Sequence, residues 1–149
     1  MAWQVSTGLR NAMLGSSSLK AALAGGFIKV YSCTLANIPA NADAAITGDH
    51  TLLLTVYGDG VSAGLSLGTA DSGAIGKAAG ETWAGPVLAT GSAVFFRFVG
   101  ASDTGAASTT QPRLQGRVGT AGAELNLSSL TLTSGNTQTV NYVNIGLPA

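Results

Sequence analysis

From residue 27 to the carboxyl end, apolar side chains recur in short runs at alternate positions, broken every few residues by Gly, Asp, Asn or Ser. A period of two, in runs too short for helices, predicts β-strands. The expected strands cover 27–32, 51–57, 63–67, 82–89, 93–99, 113–119, 125–133 and 138–147, and 72–76 can add a short one. Within 94–99, Val94, Phe96 and Phe98 share one face while Phe95, Arg97 and Val99 share the other. In the same way Leu114, Gly116 and Val118 oppose Arg113, Gln115 and Arg117. Leu125 and Leu127 fall out of phase with Leu130 and Leu132, which places a bulge or bend at Ser128-Ser129. Asp59-Gly60 and Thr90-Gly91-Ser92 read as turns, and 103–110 as an exposed small-residue loop.

The first 25 residues follow a different period. Val5, Leu9 and Met13 recur at spacing four with Ala12 beside them, an apolar stripe along one side of a helix. Ser6 or Thr7 suits its start and Gly15 its end; a second short helix runs from Ser17 or Ser18 to the Gly25-Gly26 pair. Helices this short need a surface to dock on, and two are open to them: one end of the β core or a neighbouring subunit. The whole pattern predicts an all-β protein, a jelly-roll or Greek-key β-sandwich of about eight strands. Residues 1–26 form its short helical amino-terminal arm and 27–149 a single sandwich domain.

Composition narrows the function. Charged residues are 9% of the 149-residue chain and apolar ones 46%, while Ala, Gly, Ser and Thr fill half of it. Seven basic side chains balance seven acidic ones. The cationic excess with which a nucleic-acid binder displaces counterions is therefore missing, as is a polybasic membrane patch. With mean hydropathy +0.34 and no net charge, such a surface has weak protection against self-association. Either Ser, Thr, Asn and Gly alone make the surface soluble or partner subunits cover much of it, and the second accounts more readily for the composition. Cys33 is the single cysteine, so no disulfide forms within the chain. Residues 1–7 lack the basic opening and apolar core of a secretion signal, and the longest apolar runs, 52–54 and 94–96, fall far short of a membrane span. Synthesis as a soluble cytosolic chain is expected.

Chemistry-bearing residues are few. His50 is the sole histidine and follows a Gly48-Asp49 turn; triads assemble from distant positions, but no Gly-x-Ser-x-Gly elbow accompanies it. Among the seven carboxylates nothing nominates a glycosidase pair, and Asp59 and Asp103 sit where an Asp bonds its own turn. One Cys and one His give no zinc spacing, and no calcium loop is present. No catalytic, metal or cofactor-binding residue is expected, and no enzyme. Contacts are better served. Arg97, Arg113 and Arg117 lie opposite apolar neighbours on their strands, as a solvated sheet face or a surface for an acidic partner. Trp3, near the terminus, suits an interface anchor. Trp83 suits the core or, with Tyr57, a stacking platform for a glycan.

Several strings resemble small proteins encoded in tailed-phage and prophage head modules. They are 6–15 (STGLRNAMLG), 19–23 (LKAAL), 25–31 (GGFIKVY), 81–85 (ETWAG), 93–99 (AVFFRFV) and 122–129 (GAELNLSS), and together they span nearly the whole chain. The resemblance is to capsid decoration, or cement, proteins. It implies a jelly-roll subunit, often a homotrimer, that binds the outside of the shell and clamps adjacent major capsid proteins. On that reading Trp3, Val5, Leu9 and Met13 of the arm bury apolar area on the shell, and Arg10 meets acidic capsid loops. Arg97, Arg113 and Arg117 add ionic contacts. The expected partners are the major capsid protein and copies of the chain itself, with no nucleic acid and no membrane, at the capsid exterior. A tail or fibre component and a virion-surface glycan-binding module are the alternatives.

Overall fold

In the computed structural model, which describes residues 2–147, the amino end forms a two-residue strand, β1 (Gln4–Val5), then helix α1 (Thr7–Leu14) and helix α2 (Leu19–Leu23). Ser6 separates strand from helix. Its Oγ accepts the Leu9 N–H at 3.1 Å as an N-cap does, accepts the Arg113 N–H at 2.8 Å, and donates to the Gln111 carbonyl at 2.8 Å. Ser18 caps α2 through the Ala21 N–H. The Gly15 N–H closes α1 on the Asn11 carbonyl, and α2 gives way to Gly25 at φ +72°, a left-handed conformation that a residue with a β-carbon adopts at a cost.

The remaining strands are β2 (Phe27–Ser32), β3 (Thr51–Val56), β4 (Ala74–Gly76), β5 (Ala84–Pro86), β6 (Gly91–Ser92), β7 (Phe95–Val99), β8 (Arg113–Gly119), β9 (Leu125–Asn126), β10 (Thr131–Leu132), β11 (Thr137–Thr139) and β12 (Asn144–Gly146). The principal sheet runs β1-β8-β7-β2-β3, antiparallel throughout, with β9 added to β8 in parallel. The pairs β5–β11, β6–β10 and β4–β12 are separate antiparallel ladders. Bridges Tyr57 to Ala84 and Leu54 to Val87 carry β5 along the outer edge of β3. The protein is all-β with few helices.

Cross-strand register sorts the sheet into two faces. Val30 lies between Leu54 and Phe96, and Ile28 between Val56 and Phe98, with Leu114 and Val5 continuing the row. Leu9, Leu23, Leu65, Trp83, Leu125 and Val140, none of them exposed, join this face in one apolar core. The Trp83 indole meets Phe98 edge-on at 6.1 Å, and Trp3 meets Phe96 edge-on at 5.6 Å.

Strands β2 and β8 form over the expected spans, and the bend at Ser128-Ser129 separates β9 from β10. Elsewhere the expected strands shorten. The 63–67 segment pairs only through Leu65 with Gly26 and Leu67 with Lys77. The 138–147 run divides into β11 and β12 because Val140 and Val143, three apart, are both buried, which alternation cannot provide. The 82–89 run contracts to β5, where Gly85 comes so near the Thr55 carbonyl that a β-carbon would overlap it.

Residues 2–26 are not a separate arm. β1 is an edge of the principal sheet, Leu9 and Leu23 are core residues, and Gly8 abuts the Thr110 backbone with no room for a β-carbon. Of the two docking surfaces open to the helices, they occupy the one on their own β core. Leu9→Ala should therefore cost about 2–5 kcal/mol in denaturant unfolding, the range for a truncated core leucine; a loss below about 0.5 kcal/mol, usual at surface positions, would mark the segment as loosely attached.

Candidate functional site

The second face of the principal sheet carries Tyr31, Phe95, Arg97, Val99, Arg113, Gln115 and Gln4. The sequence pattern predicts a solvated or partner-facing surface there. Instead, the chain covers it with two of its own segments, 33–50 and 100–112. Arg97 and Arg113 are each 1% exposed and Gln115 is fully buried. The expectation that Arg97 and Arg113 reach a partner is thereby corrected: both guanidinium groups are used up inside the subunit.

Their use is specific. A segment laid over a sheet face brings peptide carbonyls out of water, and each must find a donor. Between residues 39 and 43 the donors are side chains of the sheet. Gln115 Nε2 donates to the Pro39 carbonyl at 2.9 Å, Gln4 Nε2 to Ala40 at 3.1 Å, Arg97 Nη2 to Asn41 at 3.2 Å, and Arg113 Nη1 to Ala42 at 3.3 Å and Asp43 at 3.5 Å. Within the layer, Arg97 Nε donates to Gln115 Oε1 at 2.7 Å and Gln115 Nε2 to Gln4 Oε1 at 2.5 Å.

The other cover contributes charge. Asp103 takes Arg113 in a forked pair, Nε to Oδ2 at 2.5 Å and Nη2 to Oδ1 at 2.9 Å, and the Ala106 carbonyl accepts a further Nη2 bond at 2.6 Å. Both partners are 1% exposed at their side chains. Arg97 faces no such carboxylate. Burial, reinforced by the neighbouring Arg113 charge, brings its guanidinium down to about 10, and among the described residues its Nη1 has no hydrogen-bond partner. Burial likewise raises the Tyr31 phenol, with Arg97 opposing it. The Tyr31 ring stacks on Phe95 at 5.1 Å.

His50 closes the 33–50 cover. Its Nδ1 accepts the Thr47 N–H at 2.9 Å, and Nε2 lies 2.7 Å from the Asn37 carbonyl as a donor to it. The ring rests edge-on against Phe95 at 5.5 Å. Asp43 pins the same cover to α1, accepting the Thr7 N–H at 2.8 Å and the Thr7 hydroxyl at 2.7 Å.

The carboxylates serve local structure. Asp59 Oδ1 accepts the N–H groups of Val61, Ser62 and Ala63 at 2.8–3.0 Å, which together hold its carboxyl down to about 2. Partial burial works to raise Glu81, but the Trp83 indole N–H at 2.6 Å and the Ser66 N–H outweigh it, and its carboxyl falls below the usual range. Burial pushes the Cys33 thiol up, which disfavours the thiolate a nucleophile needs. Among the described residues no three His, Cys, Asp or Glu side chains come together to hold a metal ion. Among the described residues no helix is long and apolar enough to cross a membrane.

The other expected contact residues separate. Leu9 is buried in the core, and Trp3, Val5 and Met13 are half-buried against it. Arg117 is half-buried, with its Nε unpartnered among the described residues. Arg10 is exposed on α1, its guanidinium donating to Thr7 Oγ1 at 3.0 Å. Trp83, fully buried, is a core residue and unavailable to stack on a sugar. Sequence reasoning missed Gln4, Asp43, Asp103 and Gln115 as members of one layer. The available signal was the i, i+2, i+4 row Arg113, Gln115, Arg117, which projects long multidentate donors from one face of a strand.

Comparison of the chain with known protein families, curated proteins and solved structures returns no match.

Two outcomes follow from the layer. Asp103→Ala should cost about 3–5 kcal/mol in denaturant unfolding, because Arg113 stays buried without its carboxylate; the double substitution Asp103→Leu with Arg113→Met should cost less than that single one. Acid should also destabilise the fold. Asp43, Asp59 and Glu81 titrate lower when folded than when unfolded, so their contribution is full above the ordinary carboxylate range and is lost as pH falls through the folded values. The unfolding midpoint should drop between pH 4.5 and about 2, and Glu81→Gln should flatten part of that slope.

Proposed function

We propose that this chain is a structural virion protein, a decoration subunit that binds the outside of a phage head and braces contacts between major capsid proteins. The sequence resemblance suggests the role, and one feature of the molecule carries it further. Of seven basic and seven acidic side chains, Arg97, Arg113 and Asp103 lie inside, which leaves an already charge-poor exterior poorer still. That exterior presents Leu14, Leu35, Val61, Leu88, Tyr142 and Leu147, each more than half exposed. A surface of this kind favours coverage by other subunits over life as an isolated solute. Within the proposal the subunit is a jelly-roll-type sandwich, its short ladders forming the layer opposite the principal sheet, and it assembles as a homotrimer.

With Leu9, Arg97 and Arg113 internal, the shell contact moves to the outer side of α1, where Arg10 and Leu14 are exposed and Met13 is half-buried. Many weak copies acting on one lattice bind by avidity, so each contact needs little energy of its own. Deleting residues 2–15 would remove Leu9 and Ser6 and unfold the subunit, so surface substitutions are the cleaner probe. Purified protein mixed with expanded, undecorated shells should bind saturably at a fixed number of copies per shell. The double variant Arg10→Glu with Leu14→Asp should weaken binding at least about tenfold without moving the unfolding midpoint. Failure of the wild-type chain to bind such shells would remove the proposal.

A further inference from the structure

A cleft of about 440 Å³ opens between the start of α2, the 68–75 segment and the β12 end of the chain. That volume falls within the range of small-molecule sites. Leu19, Ile75, Ile145 and Leu147 form its walls, and among the described residues Lys20 is the only ionisable one lining it. Lys20 does not wave free. Though the residue is exposed, its Nζ crosses to the Gly68 carbonyl at 2.9 Å, which holds the ammonium on the wall of the cleft and, among the described residues, leaves two of its three N–H donors unspent. Asp71, the one carboxylate in the neighbouring loop, is exposed and accepts the Ser72 hydroxyl, leaving the ammonium without a competing acid in the lining.

An apolar cleft with a single anchored cation and, among the described residues, no carboxylate in its lining is complementary to one kind of small molecule: an alkyl chain ending in a negative group. We propose that the cleft binds a single-chain carboxylate amphiphile, a medium-chain fatty acid, with its chain against Leu19, Ile75 and Ile145 and its carboxylate on Lys20. Length matters less than this division between an apolar tail and one charge. The site is independent of the capsid reading; shell binding and amphiphile binding stand or fall separately.

Calorimetric titration of the full chain with decanoate, held below its micellar concentration, tests the site. Saturable uptake of one decanoate per chain is expected, with decanol, its neutral counterpart, at least about tenfold weaker. Lys20→Gln should bring decanoate down to the level of decanol while leaving decanol unchanged. Ala70→Trp, which fills the cleft from an exposed position, should abolish both, with thermal unfolding of each variant confirming an intact fold. Absence of saturable decanoate binding, equal affinity for decanoate and decanol, or binding that survives Ala70→Trp would each overturn the proposal. So would sedimentation of the ligand-free protein as a dimer that Ala70→Trp dissociates, since the cleft would then belong to a second copy.

Discussion

A stretch of chain without secondary structure can lie across a sheet only if its peptide carbonyls are given donors, and the arrangement of this molecule turns on how that is met. Residues 39–43 receive theirs from Gln115, Gln4, Arg97 and Arg113. Arginine and glutamine are apt for the task. Each projects donors several bonds away from its own strand, so the sheet keeps its ladder and still serves a second layer. Asp103 offsets one of the two buried guanidinium charges, and the second is met by neutral oxygens alone.

The two faces of the sheet are thus held by different physics. On one, dispersion and the exclusion of water join Phe96, Phe98, Leu114 and Val30 to the rest of the apolar core. On the other, directional bonds fix a cover whose position tolerates little drift. Removing a methyl group from the first face leaves a void; removing a carboxylate from the second strands a charge. The second face also withdraws ionic groups from the exterior, tying a detail of packing to the poverty of charge on which the proposed assembly role rests.

Much of this was written in local pattern. Strands β2 and β8 were legible because each has a ladder partner on both edges and alternates cleanly. The Ser6 cap, the Asp59 turn and the bend at Ser128-Ser129 were legible because they depend on residue type over a few positions. The fate of Arg97 and Arg113 was not. Alternation tells which side of a strand a residue takes; it does not tell whether that side is dry. Residues 39–43 meet the sheet mainly through backbone oxygens, and every residue type supplies the same carbonyl, so the side chains there do not announce which donors they will take. The Val5–Leu9–Met13 stripe was likewise readable, whereas its docking on the subunit's own core depends on a partner strand more than a hundred residues away.

That distance has a consequence during synthesis. Ser6 Oγ bonds Gln111 and the Arg113 N–H, and Gln4 and Val5 pair with Gln115 and Leu114. A chain emerging from the ribosome therefore cannot complete this seam until residues 111–115 have been translated. Until then Gln4 and Val5 have no strand to pair with. Such late closure of distant segments slows folding, and it makes residues 3–9 a place where neighbouring copies can meet before each has finished folding.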